Sequence, residues 1–187
     1  MDKYFGNSGK KISWVQICFL LCILMLAFII FAVLLNGAAA FTLSSAALAL
    51  PLLIVGTVSI IIAAMKKSTL KGKIWLLSDG AATTVLAAVL LLSGKENIET
   101  LPFYFGLWEI AIGIFKIAES HQLKNGTVHS HEGFLYIGIA QTVSGALFLI
   151  RPIDRLIGHS IAVVITLAIQ MSAYGLRYYL YPTMSEE

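Results

Sequence analysis

Six long apolar stretches, separated by short polar segments, dominate this sequence. They cover residues 13–35, 41–65, 74–93, 98–119, 132–150 and 156–178. A helix rises 1.5 Å per residue, so about 20 apolar residues cross the roughly 30 Å hydrocarbon core of a bilayer. Of the 187 residues, 58% are hydrophobic and 12% are charged, and a water-soluble domain of this size could not bury so much apolar surface. The sequence therefore predicts a single all-α integral membrane domain, residues 1–187, with six transmembrane helices.

The polar segments predict how the helices are connected and oriented. Short connections make consecutive helices antiparallel neighbours, so we expect three helical hairpins. With the N-terminus inside, the cytosolic segments hold all of the 13 lysines and arginines except Lys95, Arg151 and Arg155. Because basic residues concentrate on the cytosolic side, we expect cytosolic N- and C-termini and a multi-pass protein of the cell inner (plasma) membrane. The first stretch is too long for a signal-peptide core, so we expect it to be retained.

An internal repeat links the third and fifth stretches. Residues 80–88 (GAATTVLAA) align without gaps onto residues 138–146 (GIAQTVSGA), with Gly, Ala, Thr, Val and Ala in common. Both stretches run outward in the predicted topology. The repeat therefore indicates parallel duplication of a two-helix unit rather than an inverted repeat.

Glu109 lies near the middle of the fourth stretch, where an ionisable side chain costs at least ~2.5–3.5 kcal/mol on insertion scales. Gly106, Gly113 and Lys116 share its helical stripe at spacings of three, four and three residues. Glycines on a stripe allow another helix to approach closely, so we expect Glu109 to face protein rather than lipid.

Thr84, Gln141 and Gln170 are predicted at the same depth as Glu109, roughly 12–15 Å from the cytosolic ends of their helices. These four residues form a predicted midplane polar cluster, in which Glu109 is the one ionisable member. Two interpretations are open. The cluster could bind a proton, a cation or a polar solute, or a neutral Glu109 could bond to the glutamines and specify helix packing, which is the interpretation we favour from sequence.

Asp79 and Lys116 lie slightly inside the cytosolic ends of the third and fourth stretches, where a structural ion pair would offset their desolvation. Glu119 could compete for Lys116, and Lys116 could instead extend to the membrane interface. Arg177 is near enough to the inner interface for its side chain to reach it.

No enzyme signature, metal site or cofactor site is predicted. His121, His129, His131 and Glu132 surround the loop between the fourth and fifth stretches, but their spacing favours a solvated loop over a zinc site. The sequence has no Gly-x-Ser-x-Gly, His-Glu-x-x-His or phosphate-loop motif, and its loops are too short for a catalytic domain. The net charge of +3 gives no sign of nucleic-acid binding.

The glycine-punctuated segments 106–117 (GLWEIAIGIFKI) and 133–138 (GFLYIG), the latter running on to Arg151-Pro152, resemble the HdeD-like family of small bacterial acid-resistance membrane proteins. The resemblance is strongest over residues 75–178. It implies six spans in three hairpins and a stress-related membrane protein without enzymatic chemistry, and it supplies no catalytic residues. Turn prolines of the family pattern are replaced here by the segment 36–38 and by Gly94.

Three functions follow as expectations. The first is a non-enzymatic inner-membrane protein of the HdeD-like type that supports acid or envelope stress tolerance. The second is a small proton-linked transporter or channel that uses Glu109. The third is a membrane scaffold that binds another membrane protein. The bilayer is the expected partner in each case, and homo-oligomerisation is a further open alternative.

Overall fold

The computed structural model of this chain is all-helical in the part that it describes, which comprises residues 13–36, 45–65, 72–92, 101–125, 131–150 and 159–185. The helices are α1 (Trp14–Asn36), α2 (Ser45–Ala64), α3 (Lys73–Leu92), α4 (Leu101–Asn125), α5 (His131–Leu149) and α6 (His159–Ser185). Each helix matches one of the six predicted stretches.

The helix ends show what apolar patterning can and cannot locate. At the start of α1, the Ser13 hydroxyl accepts a hydrogen bond from the Gln16 amide nitrogen at 3.2 Å, and the Gln16 side chain accepts one from the Ser13 amide at 3.0 Å. This reciprocal capping fixes the helix start next to the first apolar residue. At their other ends, α4 and α6 extend to Asn125 and Ser185, beyond the predicted limits of 119 and 178. Apolar residues mark the hydrocarbon boundary, whereas helical hydrogen bonding continues into polar sequence.

Four of the described helical segments are long enough and apolar enough to cross a membrane. These segments are Trp14–Leu35, Lys73–Leu92, His131–Leu149 and Ile161–Leu180. A shorter apolar segment, Leu48–Ala64, belongs to α2, and α4 is 25 residues long but contains Glu109, Lys116 and Glu119. The chain is thus a helical protein of membrane-spanning character. Most of the basic residues behind the orientation prediction, among them Lys95, Arg151 and Arg155, lie outside the described residues.

Side-chain polarity is reversed relative to a water-soluble protein. Large apolar side chains such as Leu24 (56% exposed) and Phe31 (61%) cover the outside, and an apolar groove of about 300 Å³ between α3 and α4 continues this surface. Charged side chains such as Asp79 and Lys116 are instead fully buried. Because exposed apolar area of this extent is unfavourable in water, the outer surface is suited to lipid.

The six helices form a ring in chain order, which is closed by contact between α1 and α6. The Phe19 ring of α1, for example, lies 6.4 Å from the Tyr174 ring of α6. The most extensive interfaces join α2 to α3 and α4 to α5. The closest pairs are therefore offset by one helix from the three hairpins expected from sequence, and α1 and α6 form the third pair.

Glycines explain why those two interfaces are the closest, and the same glycine contact occurs in both. A methyl group at Gly56 of α2 would contact the Thr84 hydroxyl and lie 2.8 Å from the Gly80 carbonyl oxygen. A methyl group at Gly113 of α4 would contact the Thr142 hydroxyl and lie 2.7 Å from the Gly138 carbonyl oxygen. The two contacts are equivalent, which gives the repeat a structural basis.

The repeated unit is consequently α2–α3 and α4–α5, in which the aligned segments 80–88 and 138–146 belong to the second helix of each pair. The glycine that each aligned segment contacts comes from the preceding helix rather than from the following one. Gly56 and Gly113 precede the two aligned segments by nearly the same number of residues. This spacing was the sequence signal for the pairing of the helices, and sequence reasoning missed it.

A substitution at Gly113 tests the glycine contact. We expect Gly113→Ala to lower the free energy of unfolding by about 1–3 kcal/mol, because the added methyl group forces the α4 and α5 backbones apart. Gly56→Ala should have a similar effect, since its surroundings are equivalent. Unfolding by sodium dodecyl sulfate in mixed micelles would measure both changes.

Gly175 provides the matched control, because a methyl group there would meet nothing within 4 Å. Gly175→Ala should leave stability unchanged or raise it by up to ~1 kcal/mol through helix propensity. Equal stability changes at positions 113 and 175 would contradict the proposed role of close packing.

Candidate functional site

Four charged side chains meet inside the helix ring and form a charge cluster of Asp79, Lys116, Glu119 and Arg177. Arg177 Nη1 lies 2.7 Å from Asp79 Oδ2, and its Nη2 lies 2.6 Å from Glu119 Oε2. Lys116 Nζ lies 3.2 Å from the same Asp79 oxygen. All four side chains are at most 2% exposed. Two acidic and two basic groups leave the cluster without formal net charge, which is the condition under which buried ions are tolerated.

Aromatic rings complete the environment of Arg177. Its guanidinium carbon lies 5.8 Å from the centre of the Phe134 ring and 5.5 Å from that of Tyr174. Aromatic faces attract a cation, and the attraction grows when water is excluded. The Tyr174 hydroxyl is 2.8 Å from the Ser59 hydroxyl, so α2 is also connected to the cluster.

Two glutamines extend the charge cluster toward the middle of the bundle. Gln170 accepts a hydrogen bond from Lys116 Nζ at 2.8 Å and donates one from Nε2 to Asp79 Oδ1 at 3.0 Å. Gln141 Nε2 donates to the same Gln170 oxygen at 2.8 Å. The charge cluster and the two glutamines therefore form one continuous hydrogen-bonded network across α3, α4, α5 and α6.

Glu109 is buried in the same interior but is not part of this network. It is fully inaccessible to solvent, and neither of its carboxyl oxygens has a hydrogen-bond partner among the described residues. The hydroxyl groups of Ser144 and Thr166 face it. The glutamines, which the favoured sequence interpretation assigned to Glu109, bond instead to each other and to the charge cluster. The hydrogen-bonded network of the interior therefore includes both glutamines but not this carboxyl group.

The structure separates Thr84 from the other predicted cluster members. Its hydroxyl donates to the Gly80 carbonyl at 2.8 Å and packs at the α2–α3 contact. Its neighbour Thr83 faces the interior instead, where its hydroxyl accepts a hydrogen bond from the Trp108 indole at 3.3 Å. Thr83 and Thr84 are adjacent and therefore lie at nearly the same depth, but their side chains point in directions that differ by about 100°.

Sequence reasoning brought Asp79 and Lys116 together but missed the third and fourth members of the charge cluster. Arg177 was expected to reach the interface, and Glu119 to compete for Lys116; in the structure the two bind each other. Both lie near the same end of parallel helices, α4 and α6. Their equal depth in the bundle could have indicated the Glu119–Arg177 pair from sequence. It became informative only once α6 was known to contact α4.

The histidines near the α4–α5 connection do not form a site within the described residues. His121 is exposed on α4, His131 begins α5, and His129 lies outside the described residues. No group of three or more metal-binding His, Cys, Asp or Glu side chains occurs in the described part of the chain.

Comparison with protein-family models, with curated proteins and with solved structures returns no match to this chain. The function is therefore inferred from the interior itself. That interior combines a paired, charge-balanced cluster with one unpaired carboxyl group, Glu109.

A double-mutant cycle tests the charge cluster. We expect Asp79→Asn and Lys116→Met each to reduce stability by about 3–5 kcal/mol, because each leaves a buried charge without its partner. The double variant should lose less than the sum of the two single losses, since it restores neutrality. Unfolding in mixed micelles would measure all three.

Glu132→Gln is the control, because Glu132 is an exposed acid at the start of α5. It should change stability by no more than about 0.5 kcal/mol. Strictly additive losses in the cycle would show that Asp79 and Lys116 are energetically independent.

Proposed function

We propose that this chain is a small proton- or cation-linked transporter or channel, and that Glu109 is the group that exchanges the ion. All six helices cross the cell inner membrane in this proposal, and both termini are cytosolic, as the bias of lysine and arginine indicates. The proposal includes no enzymatic chemistry.

The observation that carries the proposal is the contrast between Glu109 and the other two buried acids. Asp79 and Glu119 are each held by a basic side chain, as expected of structural ion pairs. Glu109 has no such partner in the described structure, although a buried ionisable group without a partner is unfavourable by several kcal/mol. An ionisable group in a membrane interior that is retained at this cost is a functional candidate by default.

The charge cluster has a definite place in this mechanism. Lys116 is two helical turns from Glu109 on the cytosolic side of α4, and Glu119 and Arg177 lie further toward that side. A methyl group on Gly72, at the start of α3, would lie 3.3 Å from the Glu119 carboxyl, so the backbone of α3 covers this end. The cluster therefore closes the cytosolic route to Glu109, and ion release to that side requires the Arg177 pairs to separate.

The duplicated helix pairs supply elements that could move against each other. The pairs α2–α3 and α4–α5 are held internally by close glycine contacts. Contact between the pairs is less extensive and includes the ion pair of Lys116 with Asp79. Relative motion of rigid repeats around a fixed site is the general mode of alternating access.

Stress protection of the HdeD-like type is the second candidate, favoured by a separate observation. Three glycines in the segments that carry this resemblance, Gly106, Gly113 and Gly138, make close contacts between α4 and α5. In this candidate the interior serves only to hold the bundle together, and no ion crosses it.

Flux measurements distinguish the two candidates. The purified full-length chain in proteoliposomes should pass protons or monovalent cations down an imposed gradient, and Glu109→Gln should reduce that flux to the level of empty vesicles. The substitution removes the charge and keeps the shape, so its folding is checked by an unchanged elution profile. Fluorescent pH and cation indicators inside the vesicles provide the measurement.

Glu132→Gln, which removes an exposed carboxyl group from the next helix, should leave the flux unchanged. Absence of flux from the native chain across a range of pH and ions would reject the transport proposal and favour the stress-protein candidate. Undiminished flux through Glu109→Gln would reject the role of Glu109.

A further inference from the structure

Three buried oxygen atoms in the described interior lack a hydrogen-bond partner, and they belong to two neighbouring helices. They are Oε1 and Oε2 of Glu109 on α4 and Oε1 of Gln141 on α5. Both side chains are fully inaccessible to solvent. Buried oxygens of this kind are rare in proteins, and each calls for a ligand or another explanation.

The direction of the Gln141 side-chain amide is determined by the charge cluster. Lys116 can only donate and the Asp79 carboxylate only accepts, so Gln170 must present its oxygen to Lys116 and its nitrogen to Asp79. Gln141 must then donate its own nitrogen to the Gln170 oxygen. Its remaining oxygen is therefore an acceptor that the network leaves unused.

The helix register places this unused oxygen acceptor at the level of Glu109. Close contacts of Gly106 with Gly145 and of Gly113 with Gly138 fix the antiparallel alignment of α4 and α5. In this alignment Glu109 lies opposite Gln141 and its neighbour Thr142. A methyl group on Gly145, one turn from Gln141, would lie 2.9 Å from the Glu109 Cβ atom.

Hydroxyl oxygens complete the surroundings. Ser144 of α5 and Thr166 of α6 face the Glu109 carboxyl group. The Thr166 hydroxyl donates its hydrogen to the Ala162 carbonyl at 3.0 Å, so its oxygen presents lone pairs to its other neighbours. Acceptor oxygens thus come from three helices, α4, α5 and α6.

We propose that Glu109, Gln141, Ser144 and Thr166 form a binding site for one monovalent cation of the sodium type. Carboxylate, amide and hydroxyl oxygens are the ligands that hard cations prefer. One positive charge is the appropriate number, because Glu109 contributes one negative charge and the nearby charge cluster is balanced. This site identifies the ion that the proposed transporter would carry. Binding of the cation does not depend on the transport proposal, whereas the physiological use of the site rests on it.

A metal cation satisfies these atoms better than a proton does. Protonation of Glu109 provides a single hydrogen-bond donor, whereas three acceptor oxygens are unpaired. A coordinated cation contacts all of them at once and neutralises the carboxylate.

Calorimetric titration of the purified full-length protein in detergent tests the site. The protein is prepared in N-methyl-D-glucamine chloride, and NaCl, LiCl or KCl is exchanged in at constant ionic strength. We expect saturable binding of one Na⁺ per chain and a rise of the thermal unfolding midpoint with Na⁺ concentration. Glu109→Gln should abolish both effects, and Thr166→Val and Ser144→Ala should each weaken binding. Glu132→Gln should leave binding unchanged.

The outcomes separate this inference from the transport proposal. Glu109-dependent proton flux without saturable binding of Na⁺, Li⁺ or K⁺ would overturn the cation site and leave the transporter in place. Saturable, Glu109-dependent binding without any flux would support the site and reject the transporter. Binding that persists in Glu109→Gln would show that the cation occupies another place, and would also overturn the proposal.

Discussion

The pairing of Arg177 with both Asp79 and Glu119 is the interaction on which the rest of the interior depends. It joins α3, α4 and α6, three helices that come from separate parts of the chain. Removal of this one cation would leave two carboxylates with Lys116 as the remaining base of the cluster. The same interaction orders the polar atoms beyond it, because Asp79, once fixed, determines the amide direction of Gln170 and through it that of Gln141.

The two helix pairs share a framework of glycine contacts but differ in the polar groups that they place in the interior. When the two pairs are aligned on Gly56 and Gly113, Glu109 of the second pair corresponds to Leu52 of the first. Lys116 corresponds to Ser59 in the same alignment. The glycine contacts themselves were kept in both copies. Close backbone packing is therefore common to the two pairs, whereas the ionisable groups of α4 are particular to the second.

The cation-site hypothesis and the charge cluster are parts of one electrostatic arrangement. Buried ions are tolerated when charges balance locally, and within the described interior Asp79, Lys116, Glu119 and Arg177 achieve this without Glu109. Glu109 is left as the buried acid that has no ion-pair partner among the described residues. On this basis we propose a structural role for the charge cluster and a functional role for Glu109.

The sequence by itself determined the all-helical, apolar character of the chain, the approximate limits of its helices and the burial of Glu109, because these depend on composition and on the period of a single helix. It also placed Asp79 near Lys116, since α3 and α4 are consecutive antiparallel helices and both residues lie toward the ends that are remote from the connection between them. Only the tertiary structure decided that α1 closes the ring on α6, that Glu119 binds Arg177, and that Thr83 rather than Thr84 faces the interior. These depend on which helices meet and in which rotation, and an apolar sequence that is compatible with many packings does not encode that choice in any local pattern.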